Sequence, residues 1–201
     1  PFRKGKQKVE KKGLVVGAGL SGLTASLRLA EQGYEVYLVE KEEEFGGNLK
    51  RSFYTLKGAN PQVFLQTLVQ QVERNGIIHP YLGAEVVGFE RKNGHYRTTI
   101  RHQKEEKILD HGALILATGG KEMTPKEYLY GEDPRVITQR QLEKMIHLND
   151  EGLKEIRSVV MIQCVGSRDE SHPYCSRICC GHAVKNALRL KERDPRANVY
   201  V

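Results

Sequence analysis

The chain has 201 residues, of which 39% are hydrophobic and 28% are charged, and its formal net charge is +7. This length allows one or two domains with a hydrophobic core, and the composition excludes a fibre or a disordered chain. The longest clean apolar run, residues 113–117, is far shorter than the roughly 20 residues that a membrane-spanning helix needs. No signal-peptide pattern opens the chain. It begins with Pro1 rather than Met, so we expect it to be part of a longer protein.

The positive charge is concentrated at the start of the chain. Residues 1–12 contain five lysines, one arginine and a single glutamate, whereas the remaining residues are nearly neutral. We interpret residues 1–12 as a solvated basic linker, with phosphate binding as the alternative. No nucleic-acid partner and no direct membrane insertion are expected.

The first part of the chain alternates short apolar strands with amphipathic helices. An asparagine followed by Pro61 opens the second of these helices, and Asn93-Gly94 predicts a hairpin turn within a stretch of short strands. The predicted strands cover residues 13–18, 35–40 and 112–118 with short strands within 77–101, and the predicted helices cover 20–32 and about 61–72.

The second part repeats this alternation after a long Gly- and Pro-containing connection at residues 119–137, whose length suggests a function. Thr138 is predicted to cap a helix. A strand at 158–165, a helix at about 176–192 and a strand at 197–201 follow. The order predicts a doubly wound α/β (Rossmann-like) domain at residues 13–150 and a partial second one at 151–201.

A glycine-rich turn follows the first predicted strand and opens the first predicted helix. Its spacing is G-x-G-x-x-G, and Glu40 with its neighbour Lys41 ends the next strand at the distance expected for a ribose-binding acid. The glycines would allow a tight turn and a close approach of the pyrophosphate to a helix N-terminus. The predicted dinucleotide-binding residues of this turn are Gly17, Ala18, Gly19, Leu20, Ser21 and Gly22.

Two later segments favour FAD over NAD at this site. They are Gly46-Gly47-Asn48 and Ala117-Thr118-Gly119, and together they resemble the flavoproteins with two dinucleotide-binding domains, the thioredoxin reductase and glutathione reductase group. That resemblance implies that the late segment passes near the flavin. It also implies that backbone groups of residues 84–86, including Val86, contact the adenine.

All four cysteines, Cys164, Cys175, Cys179 and Cys180, lie where the second domain would need a phosphate-binding glycine turn. A disulfide framework would spread its cysteines along the chain, so the clustering indicates a reduced, intracellular protein. If the last three are helical they share one face, and Cys164 ends the preceding strand, so the four sulfurs can converge. This set suits an iron–sulfur cluster, a structural zinc ion or a redox dithiol.

Longer motifs make the chain similar to one family. Residues 163–168, 174–180, 185–188 and 128–138, together with Gly46-Gly47-Asn48, resemble the flavin- and iron–sulfur-containing subunit of heterodisulfide reductase. The resemblance covers nearly all of residues 12–201.

The resemblance implies a thioredoxin-reductase-like fold with FAD, and a 4Fe–4S cluster on the four cysteines. It also implies electron bifurcation at the flavin, with ferredoxin-type carriers and other subunits of the complex as partners. The expected location is the cytoplasm, in some cases associated with a membrane complex through those subunits. The chain departs from the family in lacking its further ferredoxin-type cluster segments, and in ending inside the second domain.

Three functions are compatible with these features. The first is an electron-transfer flavoprotein module in which FAD splits electron pairs and passes single electrons to the cluster. The alternative is an NAD(P)H-dependent FAD disulfide oxidoreductase, which would need the missing second glycine motif. The third is a zinc-stabilised FAD-binding scaffold. Iron, sulfide and visible-absorbance analysis distinguishes the three.

Overall fold

The structure is a computed structural model that describes residues 10–92, 94–166 and 168–201. Contacts divide it into two compact units: the described residues up to Lys50 with Gln62–Gly120, and Arg51–Pro61 with Lys121–Val201. Residues 121–150, which the sequence analysis assigns to the first domain, therefore belong to the second unit. Most of the basic segment lies outside the described residues, and Lys12 begins the first strand.

A four-stranded parallel sheet forms the centre of the first unit. The elements of this layer are β1 (Lys12–Val16), α1 (Leu20–Glu31), β2 (Glu35–Val39), α2 (Pro61–Glu73), β3 (Ile78–Tyr81) and β7 (Ala113–Leu116). The strands are ordered β3-β2-β1-β7, and the helices α1 and α2 follow β1 and β2 along the chain. This is the doubly wound arrangement that the alternation of apolar runs predicts.

A three-stranded antiparallel sheet is inserted between β3 and β7. It contains β4 (Ala84–Lys92), β5 (His95–His102) and β6 (Glu105–His111). Lys92 pairs with His95 in the ladder, as expected for the predicted hairpin, although Asn93 itself lies outside the described residues. Side chains from both sheets pack together in one core cluster, of which Leu14 and Ile100 are fully buried members.

The second unit contains a parallel β-α-β element and a further helix. β8 (Ser158–Val160) pairs in parallel with β9 (Asn198–Tyr200), and α4 (Cys179–Arg193) connects them. The further helix is α3 (Gln139–His147), which begins at the predicted cap, since Thr138 Oγ1 accepts from the backbone N–H of Gln141. The core of this unit is built from Leu142, Leu153, Met161, Ala183 and Leu190.

Two predicted boundaries in the second unit are wrong. β8 ends at Val160 rather than at residue 165. Its partner β9 spans only three residues, and strand pairing cannot continue where no partner residue lies opposite. α4 begins at Cys179 rather than near Ser176, because Arg177 has φ +59°, which a right-handed helix cannot include. Within the described residues, no helix is long and apolar enough to cross a membrane.

Candidate functional site

The glycine turn predicted to hold a pyrophosphate joins β1 to α1. Gly17 has φ +102°, a left-handed value that favours glycine, and its N–H donates to Val39 O at 2.7 Å. Gly19 is the N-cap of α1, and no side chain caps this end of the helix. The N-terminal N–H groups of an uncapped helix, with the positive end of its dipole, are suited to bind a phosphate.

The three glycines of the turn differ in what surrounds them. A Cβ on Gly17 would collide with the backbone of Ala117, and a Cβ on Gly22 would collide with the carbonyl of Gly17. Both glycines are therefore needed for the close packing of α1 against the strands. A Cβ on Gly19 would meet only Gly47 Cα, at 3.9 Å. The face of Gly19 is thus open, as the approach of a ligand to the backbone requires.

The second glycine loop lies directly against this turn. The N–H of Gly46 donates to Ala18 O at 2.8 Å, and Gly46 has φ +111°. The Cβ that Gly47 lacks would stand 3.1 Å from Gly19 Cα. The two loops therefore approach each other backbone to backbone, and a side chain at Gly47 would crowd Gly19.

The segment after β7 completes the arrangement. Ala117 N–H donates to Val16 O at 2.8 Å, which extends the strand pairing of β7 with β1. Asn48 Nδ2 donates to Gly120 O, also at 2.8 Å. The structure thus brings three predicted segments together at the carboxyl ends of β1 and β7, and they include Leu20, Ser21, Thr118 and Gly119.

Glu40 follows β2 at the same edge of the sheet and is 7% exposed. One carboxylate oxygen accepts from the N–H of Ala18 at 2.6 Å, and the other accepts from the N–H of Glu42 at 3.0 Å. Each oxygen retains a second lone pair for a ribose hydroxyl. Glu40 therefore also stabilises the glycine turn, a role that the sequence does not reveal.

Lys41 follows Glu40 in the sequence, and Val86 lies on the strand whose first residue, Ala84, contacts Glu40. The Lys41 side chain is 71% exposed, and its ammonium is 3.8 Å from a carboxylate oxygen of Glu42. Val86 lies on β4, which begins where the N–H of Ala84 donates to Glu40 O at 2.9 Å. β4 therefore begins next to Glu40.

These residues fit FAD. The uncapped helix and the open face of Gly19 provide for a pyrophosphate, and Glu40 provides acceptors for a ribose. The second glycine loop and the segment after β7 add backbone surface that a bound cofactor could contact beyond the glycine turn. A long dinucleotide makes use of such an extension.

The four cysteines do not fit a metal centre as the structure places them. Cys164 lies beyond the end of β8 with φ +62°, Cys175 precedes α4, and Cys179 and Cys180 are in its first turn. The expectation that the last three share one helical face is wrong, because Cys175 is outside the helix. In the described part of the chain, no three Cys, His, Asp or Glu residues form a group that could hold a metal ion.

A buried carboxylate that sequence reasoning missed organises the second unit. The Glu143 side chain on α3 is 1% exposed and accepts from Lys185 Nζ at 2.8 Å, from the N–H of Phe53 at 2.8 Å, and lies 2.5 Å from His182 Nε2. Burial raises the pKa of this carboxyl, but these hydrogen bonds outweigh it and hold the pKa at about 2. Lys185 also donates to Tyr54 O at 3.0 Å.

Asn186 extends this buried cluster. Its Oδ1 accepts from the hydroxyl of Tyr54 at 2.8 Å, and its Nδ2 donates to the backbone O of Gln139 at 2.9 Å. Burial raises the pKa of Tyr54, so its hydroxyl remains a donor. The segment 51–61 is thereby fixed to α3 and α4. His182 also belongs to this cluster, through its contact with Glu143.

The chain matches the pyridine nucleotide-disulphide oxidoreductase family over residues 11–163. Among solved structures, the crystal structure of L-proline dehydrogenase from P. horikoshii has a TM-score of 0.55 and 16% identity, covering 94% of this chain and 35% of that one. This likeness supports the predicted fold class. The match is to a family of oxidoreductases, as the sequence predicts.

The names of the curated relatives agree with the family that the sequence motifs resemble. The chain is 32% identical to an iron-sulfur subunit of CoB--CoM heterodisulfide reductase from Methanocaldococcus jannaschii, over 96% of this chain and 43% of that protein. It is 28% identical to a protein of the same name from Methanopyrus kandleri, with the same coverage. The resemblance is confirmed, and the chain spans less than half the length of these relatives.

Proposed function

Because the chain belongs to the pyridine nucleotide-disulphide oxidoreductase family, we propose that its first unit binds FAD as the flavin module of a heterodisulfide-reductase-type oxidoreductase. One observation carries the proposal. The uncapped N-terminus of α1 meets two further backbone loops and a buried glutamate at one edge of the parallel sheet. That edge is where doubly wound sheets bind their ligands.

Each part of the site has a distinct role in binding. The first turn of α1 donates hydrogen bonds to the pyrophosphate and places its dipole toward the negative charge. Glu40 accepts hydrogen bonds from ribose hydroxyls, and its negative charge disfavours a phosphate at that position. The loop at Gly46-Gly47-Asn48 and the segment Ala117-Thr118-Gly119 hold the part of the cofactor nearer the flavin, and backbone groups at Val86 hold the adenine.

Asn48 keeps the two flavin-side segments together. Its amide donates to Gly120 O across 72 positions of sequence, which fixes the spacing between the second glycine loop and the segment after β7. When bound, FAD supplies the chemistry of a carrier that takes up electrons as a pair and releases them singly. The residues of this chain bind and orient the cofactor for that purpose.

We further propose that Cys164, Cys175, Cys179 and Cys180 hold a 4Fe–4S cluster. The proposal is supported by their spacing and by the names of the relatives, which include the words "iron-sulfur". It requires residues before α4 to move from the positions that they have in the structure. Transfer of single electrons from the flavin to this cluster, and electron bifurcation, stay predictions.

The partners follow from the same comparison. A relative from Methanosarcina mazei is named as one of the subunits of ferredoxin:CoB-CoM heterodisulfide reductase, a name that denotes part of a larger enzyme. We propose that this chain also works with other subunits and with ferredoxin-type electron carriers, in the cytoplasm.

A comparison of NADPH with a one-electron reductant tests the function. The α4 N-terminus is preceded by the cysteine segment rather than by closely spaced glycines. Purified yellow protein is therefore expected to be reduced by a low-potential ferredoxin but not by NADPH at enzyme-like rates of about 1 per second or more. Rapid disulfide reduction driven by NADPH would instead support the NAD(P)H-dependent disulfide oxidoreductase.

A further inference from the structure

A short 3₁₀ helix continues the chain from the second glycine loop into the second unit. It spans Gly47–Arg51, so it begins with two of the residues proposed to hold the flavin end of FAD. Its last residue, Arg51, is already part of the second unit, as is all of the segment up to Pro61. None of the residues of this helix is buried, and a 3₁₀ helix has poor hydrogen-bond geometry. Its shape therefore depends on what holds its two ends.

The end next to the glycine loop is held by hydrogen bonds within the first unit. The N–H of Leu49 donates to Gly46 O at 3.0 Å, and Leu49 O accepts from Gln62 Nε2 at 2.8 Å. Asn48 Nδ2 donates to Gly120 O at 2.8 Å. These contacts hold the first part of the 3₁₀ helix.

The other end is held by the buried carboxylate of the second unit. Phe53, two residues beyond the helix, donates its N–H to Glu143 Oε1 at 2.8 Å. Lys185 Nζ donates to the same oxygen at 2.8 Å and to Tyr54 O at 3.0 Å, and the rings of Phe53 and His147 stack with centroids 4.1 Å apart. The Glu143 side chain is only 1% exposed, so water does not compete for these hydrogen bonds. Glu143 thus fixes the chain where it leaves the 3₁₀ helix.

We propose that Glu143 is a positioning residue for the flavin site and acts on it through Phe53 and the 3₁₀ helix. This inference rests on the proposed binding of FAD by the first unit. With Phe53 held, the helix is fixed at both ends, and Gly47 and Asn48 keep the geometry in which they bind the cofactor. Without this acceptor the helix can unwind from Arg51, and FAD binding must then include the entropic cost of ordering it.

Three substitutions in the second unit separate positioning from stability. Glu143→Ala removes the acceptor of Phe53 and is expected to raise the Kd of FAD about fivefold or more, as for a typical coupling between two sites. Glu143→Gln can keep a carbonyl oxygen at the position of Oε1 while its amide faces His182 Nε2, so its Kd should stay within about twofold of the wild type. Leu153→Ala opens a cavity in the apolar core of the same unit and should lower stability without changing the Kd.

Hydrogen exchange of the wild type gives a test that does not depend on the folding of any variant. Coupling in binding is reciprocal, so FAD is expected to slow the exchange of the Phe53 amide as well as that of the Leu49 amide. The amide of Met161, which donates to Tyr200 O in the second unit, is expected to exchange at the same rate with and without FAD.

The outcomes distinguish this inference from the FAD assignment. A wild-type Kd in Glu143→Ala would overturn the positioning role, as would an equally raised Kd in Leu153→Ala or Glu143→Gln, or a Phe53 amide that FAD does not protect. If the wild type does not bind FAD, the proposed function fails. The exchange of the Leu49 amide in the cofactor-free protein then decides: faster exchange in Glu143→Ala than in Leu153→Ala would support the link through the helix, and equal exchange would contradict it.

Discussion

Replacing Gly19 by alanine is expected to separate FAD binding from folding. Gly19 has φ −75° and ψ −172°, which alanine adopts without strain, and the added Cβ would meet only Gly47 Cα at 3.9 Å. The stability of the cofactor-free protein should therefore change by less than about 0.5 kcal/mol. The Cβ would occupy the face to which the pyrophosphate binds. Loss of one hydrogen bond to a charged group is worth roughly 1.5–3 kcal/mol, which corresponds to a Kd about 10- to 150-fold higher.

Fluorescence titration with FAD and thermal denaturation of the cofactor-free variants check this expectation. Gly22→Ala provides the contrast, because its Cβ would collide with the carbonyl of Gly17 and should lower both stability and FAD affinity. Gly76→Ala is the neutral control, since nothing lies within 4 Å of its added Cβ. A Gly19→Ala protein that binds FAD with wild-type affinity would refute the assignment of this turn to the pyrophosphate.

Glu40→Gln should destabilise the first unit by roughly 1–3 kcal/mol and also weaken FAD binding. Both carboxylate oxygens accept backbone N–H groups, and an amide would turn a donor toward one of them. An unchanged melting temperature of the FAD-free protein would contradict this. Glu143→Ala should lower the free energy of unfolding, measured in urea, by roughly 3–5 kcal/mol, because it leaves Lys185 without its carboxylate partner. A decrease below about 1 kcal/mol would show that the Glu143 cluster does not stabilise the fold. Burial lowers the pKa of His111, so the unfolded chain binds more protons than the folded one. Stability should therefore fall as the pH drops below about 6.5, by at most about 1.4 kcal/mol per pH unit. His111→Gln should make stability less dependent on pH in this range. If stability changes with pH as steeply as in the wild type, other groups cause the dependence.

The tautomer of His111 explains why protonation of this side chain destabilises the fold. Nδ1 lies 2.9 Å from Ala113 O, and because a carbonyl only accepts, Nδ1 carries the proton. Nε2 is then free to accept from the hydroxyl of Thr98 at 2.8 Å. A second proton on the ring would replace this acceptor by a donor in a site that is fully buried.

The glycine turn and the N-cap of α3 were predictable from the sequence because their signals are local. The turn from Gly17 to Gly22 lies between an apolar run and an amphipathic helix, and Thr138 carries a capping box within three residues of itself. Short patterns of this kind depend on backbone geometry that neighbouring residues determine.

The second unit was less predictable because its main contacts are distant in sequence. Glu143 is 90 positions from Phe53, 42 from Lys185 and 39 from His182, and no local pattern marks such partners. The same long-range contacts assign residues 51–61 to this unit. The start of α4 was predicted too early because propensity does not reveal a left-handed residue such as Arg177.

Identification of the cofactor released from the purified protein tests whether the first unit binds FAD. Heat denaturation followed by chromatography of the supernatant separates FAD, FMN and NAD. We expect FAD in an amount equimolar with the chain, and a smaller amount from the Gly19→Ala variant. Release of NAD or FMN in place of FAD, or failure of the chain to take up added FAD, would show that this site does not bind FAD.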